Sequence, residues 1–169
     1  MPQAETISRA RLIVVAGLPG SGKTTLARHL EVTHAAIRLS ADDWMESLGI
    51  NLHAEHERDR IEKLQWRLAQ RLLHLHNVVI VEWGSWARWE RDLLRNRARE
   101  LGAAVELRFL SAPPEELFRR IQLRGLEEPP IPWEQVRRWS DIIQAPDAEE
   151  LNLFDPPLPD PPTAISPGS

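Results

Sequence analysis

The eight residues Gly17–Thr24 read GLPGSGKT and follow directly on the apolar run LIVVA (Leu12–Ala16). A short β-branched run that stops at a glycine reads as a buried strand. The residues after the loop, Lys23–Glu31, read as a helix. A strand that passes through a glycine-rich loop into a helix leaves few folds open. The glycines let successive backbone N–H groups turn toward one centre, and the helix adds the positive end of its dipole. The pattern is G-x-x-x-x-G-K-[ST], a cradle for the phosphates of a nucleoside triphosphate, expected to be ATP. Gly17, Gly20, Ser21, Gly22, Lys23, Thr24 and Thr25 form the expected binding set. In this pattern the lysine reaches the β- and γ-phosphates and the Thr24 hydroxyl holds Mg²⁺.

The rest of the chain alternates in the same way. Ala36–Leu39, Val78–Val81 and Val105–Leu110 read as further strands. Glu57–Leu75 carries Ile61, Leu64, Leu68, Leu72 and Leu75 at helical spacing. Arg88–Leu101 is a charged helix ended by Gly102, Pro113–Leu123 opens with prolines in its first turn, and Pro132–Ile143 is another helix. Continuous apolar strands between helices predict an α/β fold, a parallel sheet of about five strands covered on both faces. At 169 residues, residues 1–154 are expected to form one domain, with a small lid at about 119–132. Residues 155–169, rich in proline, are expected to be extended or disordered and to join no ladder.

The net charge of −4 gives no general basic field to gather a polyanion, and the absence of cysteine excludes disulfides and thiol chemistry. The N-terminus has no apolar segment of export type, and no run is long enough to span a membrane, so a cytoplasmic location is the default expectation.

The loop alone does not say what becomes of the γ-phosphate. Val78–Val81 ends in Glu82, and a carboxylate at a strand tip beside the loop can orient the water shell of the metal. ELFRRIQLRG supplies Arg119, Arg120 and Arg124. Residues 120 and 124 lie one turn apart, and the glycine- and proline-bounded GLEEPPIP follows them like a hinge. LSADDW (Leu39–Trp44) places two carboxylates where a short strand runs out. They are either a solvated turn or a general base at the mouth of a site. Asp43 is the expected structural or helix-capping partner in the pair.

The order GLPGSGKT, SADDW, VVIVEWGSWARWER, ELFRRIQLRG and PWEQVR resembles the P-loop kinases related to the polynucleotide 5′-hydroxyl kinase of phage T4, over about Leu12 to Arg138. The resemblance implies a three-layer P-loop NTPase fold, with ATP and Mg²⁺ as cofactors. It implies Asp42 as the general base for the acceptor hydroxyl and Arg124 as the lid arginine on the nucleotide phosphates, with Arg120 beside it. Two positions depart from the family. Met45 stands where an arginine follows the aromatic residue, and Ala41 stands where a cation precedes the first aspartate. Both changes weaken recognition of a nucleic-acid phosphate.

Seven tryptophans and no tyrosine are unusual. Trp44 and Trp83, with Arg88 and Asp42, are the expected acceptor-binding residues, since aromatic planes suit a flat or sugar-like molecule. His53, Glu55, His56 and Glu57 read as either a metal cluster or solvated polar residues, and their adjacent spacing favours the second, since ligands must converge on one point. Whether they line the acceptor pocket is left open by the sequence. The expected function is phosphorylation of a hydroxyl on a small molecule such as a nucleoside, sugar or antibiotic. A polynucleotide 5′-end is the alternative acceptor. A nucleotide-binding regulatory module that recruits a partner through its proline-rich tail is the alternative of another class.

Overall fold

The computed structural model describes residues 10–159. Residues 1–9, read above as lacking an export signal, and tail residues 160–169 lie outside the described residues. The elements run β1 (Arg11–Gly17), α1 (Lys23–Thr33), β2 (Ile37–Ser40), α2 (Ala41–Ser47), α3 (Glu55–His74), β3 (Val78–Gly84), α4 (Arg88–Glu100), β4 (Ala104–Leu110), α5 (Pro114–Arg124), α6 (Trp133–Ile142) and α7 (Ala148–Leu151).

The strands form one parallel sheet in the order β2-β3-β1-β4. Side-chain alternation splits the strand residues between two cores. Ile13, Val15 and Ile80 face α1 through Ala27 and Leu30. Leu12, Val14, Leu39, Val79 and Val81 face Ala69 and Leu73 of α3 and Leu94 and Ala98 of α4. The result is the expected three-layer architecture. A third cluster joins Leu18 of the phosphate loop to Leu117 and Ile121 of α5 and Val136 of α6. The helices of the expected lid are thereby packed directly onto the loop they would cover.

Three expectations need correction. The described sheet has four strands, not about five. At the free edge of β4 lies the beginning of the proline-rich segment, expected to pair with nothing. The Asp155 backbone N–H donates to Val105 O (2.7 Å), the Val105 N–H donates to Asp155 Oδ2 (2.7 Å), and the Leu158 N–H donates to Glu106 Oε2 (2.9 Å). Pro156 and Pro157 have no N–H to give, so the segment covers the edge without becoming a ladder strand. Glu106, fully buried, is also paired to Arg11 and Arg108.

The second correction concerns α3. Its buried face is Ile61, Gln65, Ala69 and Leu73, while Leu64 and Leu75 are exposed. Two apolar stripes lie side by side on this helix, and the one with the smaller residues lets the helix sit close to the sheet. The third concerns the aspartate pair. LSADDW is a strand end passing straight into α2, whose N-cap is Ser40: its Oγ accepts the Asp43 backbone N–H (3.4 Å). Asp43 is not the cap. Both aspartates occupy the first turn, where negative charge complements the helix dipole.

Among the described residues no helix is long and apolar enough to cross a membrane.

Candidate active site

The phosphate loop forms where it does because its first glycine admits no substitute. A Cβ on Gly17 would lie 2.4 Å from Leu110 O on β4 and 2.8 Å from Ser21 Oγ. Gly22, with φ of 97°, turns the chain into α1. Within the loop the Ser21 hydroxyl oxygen is buried and has no hydrogen-bond partner among the described residues. An orphaned buried hydroxyl is costly unless a ligand satisfies it, and a phosphate oxygen would do so. The Lys23 ammonium donates to Leu18 O (2.9 Å), folded back on its own loop. Burial lowers its pKa to about 8, against the attraction of Glu82 and Asp42 and with help from Arg124 and Arg58. Lys23 thus feels the candidate metal carboxylate, the candidate base and the lid arginine together.

The Thr24 hydroxyl donates to Glu82 Oε1 at 2.5 Å. These all-oxygen donors at the foot of the loop fit Mg²⁺, which keeps most of its waters and takes few protein ligands. No group of three or more His, Cys, Asp or Glu that could hold a metal ion occurs among the described residues. Thr25, Leu26, His29, Leu110 and Arg120 line an open cleft of about 570 Å³ beside the loop.

The two aspartates differ sharply in surroundings. Asp42 is 59% exposed at its side chain, and its Oδ1 accepts from Arg58 Nη2 (2.6 Å), which also donates to Leu52 O (3.0 Å). Asp43 is ion-paired to Arg38 of β2. Arg38 also donates from Nη1 to Glu82 Oε2 (2.8 Å) and from Nε to Glu31 Oε2 (3.4 Å). On α5, Arg120 Nη1 donates to Gly20 O (3.2 Å) on the phosphate loop, and Arg124 Nη2 donates to Glu127 Oε1 (2.9 Å). Arg119 turns outward to Glu116.

Trp83 and Trp44 are tied into the scaffold, whereas Trp89 is exposed. Trp83 Nε1 donates to Gln65 Oε1 (2.7 Å) and its ring meets Trp66 edge-on at 6.2 Å. Trp44 packs between the α3 face and the α2 cluster. Arg88 is held among Asp92, Asp147 and Glu149, on the side of the C-terminal segment.

Sequence reasoning missed Arg38, Arg58, Glu62 and Gln65. An arginine inside the short strand IRLS was the available signal, because strand alternation puts it on the face of Ser40 and a buried guanidinium must be paired. Gln65 was a polar residue on a buried helix face. Its Nε2 donates to Ser40 O (2.9 Å), tying α3 to the strand end that launches α2.

Glu62 lies one helical turn beyond Arg58. Burial, with Glu90, Asp59 and Asp42 adding to it and Arg58 opposing, raises its pKa from 4.5 to about 7. A carboxyl that holds its proton more tightly when folded stabilises the protein most at low pH. That contribution is lost as pH rises through about 7. Glu62→Gln should therefore gain thermal stability relative to the parent protein between pH 5.5 and 8. Melting curves that stay parallel across that range would remove Glu62 as the cause.

Three solved structures are similar. A gluconokinase from Sinorhizobium meliloti is 22% identical, with a TM-score of 0.57 over 83% of this chain and 78% of the other. A sugar kinase from a Janibacter species is 22% identical, with a TM-score of 0.59 over 83% and 81%. A chain of the Pnkp1/Rnl/Hen1 RNA repair complex is 25% identical, with a TM-score of 0.66 over 98% of this chain and 53% of that one. The fold is that of P-loop kinases. No curated protein matches the sequence. The family model described as an AAA domain matches residues 12–146, the whole span from β1 through the phosphate loop, α2, the lid helices and the approach to α7, and the chain belongs to that family.

Proposed function

We propose that this protein is an ATP-dependent phosphotransferase that phosphorylates a hydroxyl group of a small molecule. One observation carries the reading: around a phosphate loop whose buried Ser21 hydroxyl lacks a partner among the described residues, Thr24 donates to the Glu82 carboxylate (2.5 Å) and Arg120 of α5 donates to Gly20 O (3.2 Å).

The loop amides, Ser21 Oγ and Lys23 bind the β- and γ-phosphates of ATP, and the cleft beside Leu26 and His29 takes the nucleoside end. Thr24 and Glu82 would hold Mg²⁺, which when bound neutralises charge on the bridging phosphates. Asp42 takes the proton of the acceptor hydroxyl, whose oxygen bonds to the γ-phosphorus as the bond to the β–γ bridging oxygen breaks. ADP leaves with that oxygen, and the proton passes from Asp42 to solvent. Arg124 and Arg120 stabilise charge on the transferring group.

The setting of Asp42 favours a small acceptor. Asp42, Asp59 and Glu90 all bear on the Glu62 carboxyl with Arg58 as the cation among them, a poor seat for a polyanion. Similarity to a chain of an RNA repair complex keeps a polynucleotide 5′-hydroxyl as the second reading.

ATP consumption measured alone and against a library of hydroxyl compounds, with a 5′-hydroxyl oligonucleotide among them, tests the proposal. Stimulation by a small hydroxyl compound is the expected result. Stimulation by the oligonucleotide alone would assign the second reading. A slow turnover indifferent to every acceptor would make the protein a regulatory module instead.

A further inference from the structure

We infer that Arg38 is a positioning residue that fixes the metal-binding carboxylate and the base-bearing helix relative to each other. The inference rests on the phosphotransferase reading above. Arg38 is 9% exposed and spends its guanidinium on carboxylates from three elements: Glu82 at the tip of β3, Asp43 in the first turn of α2, and Glu31 near the end of α1.

The sheet register explains the reach. Arg38 lies opposite Ile80 and Ser40 opposite Glu82 on parallel strands. Arg38 and Glu82 therefore share the α1 face of the sheet, one diagonal step apart, and a long side chain extended along the strand meets the carboxylate. The contact divides the labour of Glu82. Its Oε2 is held by Arg38 at 2.8 Å while Oε1 faces the Thr24 hydroxyl at 2.5 Å. The second arm of the same guanidinium holds Asp43, the residue next to Asp42. Any shift of α2 is thus felt at Glu82, and the reverse.

Without Arg38 the Glu82 side chain, 5% exposed, would carry an uncompensated charge. Released from Arg38, Glu82 would no longer hold Oε1 toward the Thr24 hydroxyl at the foot of the loop. Lysine in place of Arg38 keeps the charge but cannot fork toward three partners. Residues that orient metal-binding groups from behind typically affect metal affinity by about 10- to 100-fold.

The experiment compares Arg38→Lys with the parent protein by ATP-induced thermal shift, first with EDTA and then across a Mg²⁺ titration. Acceptor-stimulated turnover is measured in parallel. The expected result is an unchanged metal-free ATP shift and a Mg²⁺ half-saturation raised about tenfold. If Arg38→Lys does not accumulate as folded protein, Arg38→Gln/Asp43→Asn, which preserves the local charge balance, carries the same expectation. An unchanged Mg²⁺ half-saturation overturns the inference. So does a metal-free shift lost in parallel, which would make Arg38 a support of the loop as a whole. Failure of the phosphotransferase reading shows separately, as a parent protein that binds Mg·ATP yet responds to no acceptor.

Discussion

Asp42→Asn is expected to lower acceptor-dependent phosphoryl transfer by about 10² to 10⁴, the usual cost of losing a general base. The amide keeps the shape and hydrogen-bonding reach of the side chain but cannot take the acceptor's proton. ATP binding should change far less than transfer, because the loop amides hold the phosphates without Asp42 and its charge is a secondary influence on Lys23, behind burial and Glu82. Stability should change little as well: the pair with Arg58 is more than half exposed on the Asp42 side, and exposed pairs contribute about 0–1 kcal/mol. Asp43→Asn removes the same charge from the same turn, yet its side chain faces Arg38, so it should cost less in transfer. The asymmetry is the test. If the pair were merely solvated, the two substitutions would act alike. A larger loss at Asp43, or equal losses, would move the base to Asp43 or to Glu82.

The phosphate loop and the layer order were legible in the sequence because each depends on local signals. GLPGSGKT needs its glycines for backbone reasons, and continuous apolar runs such as LIVVA and VVIV announce strands buried on both faces. Glu82 could be singled out because it follows an apolar strand run, whereas Asp42 and Arg124 are marked out by what the resemblance to the P-loop kinases implies. What remained illegible was pairing. Arg38 reads as one more cation in a short strand until register sets it beside Glu82. Arg58 reads as a solvated helix charge until α2 and α3 pack and bring Asp42 to it. On α3 the more conspicuous leucine stripe is partly exposed, whereas the quieter line through Gln65 and Ala69 is the one that packs. Trp83 reads in the sequence as an aromatic plane for the acceptor, but its N–H is committed to Gln65 and its ring to Trp66, both on α3. Those contacts are between β3 and α3 and could not be read from the spacing of the tryptophans. Such facts depend on how elements meet, which composition and period do not encode.

Charge distribution joins these corrections to the chemistry. Glu31, Asp43 and Glu82 share Arg38, whereas Asp42 is paired toward the open side with Arg58. One guanidinium is enclosed and holds the scaffold of the site. The other lies half in solvent, where an incoming acceptor can displace it without exposing a buried charge. The carboxylate proposed to meet substrate, Asp42, is therefore the one whose partner is easier to remove.

The lid arginines should separate in the same manner. Arg124 closes the last turn of α5, and Gly125, left-handed with φ of 58°, ends the helix there. The Arg124 side chain pairs with Glu127, so Arg124→Ala should leave folding intact. Under the proposed function its charge acts on the phosphates. A cation of this kind acts chiefly as the phosphoryl group leaves, and its removal can cost about 10³ or more in rate. The loss should therefore fall on kcat, with KM for ATP little changed. Arg120 differs because its Nη1 already donates to Gly20 O on the loop and its side chain lines the nucleotide cleft. Arg120→Ala should weaken ATP binding more than Arg124→Ala does. Steady-state kinetics of both variants, with the acceptor saturating, decide the matter. If Arg124→Ala raised KM for ATP and left kcat intact, Arg124 would serve ground-state binding, and the charge developing during transfer would have to be met by Arg120 and Lys23.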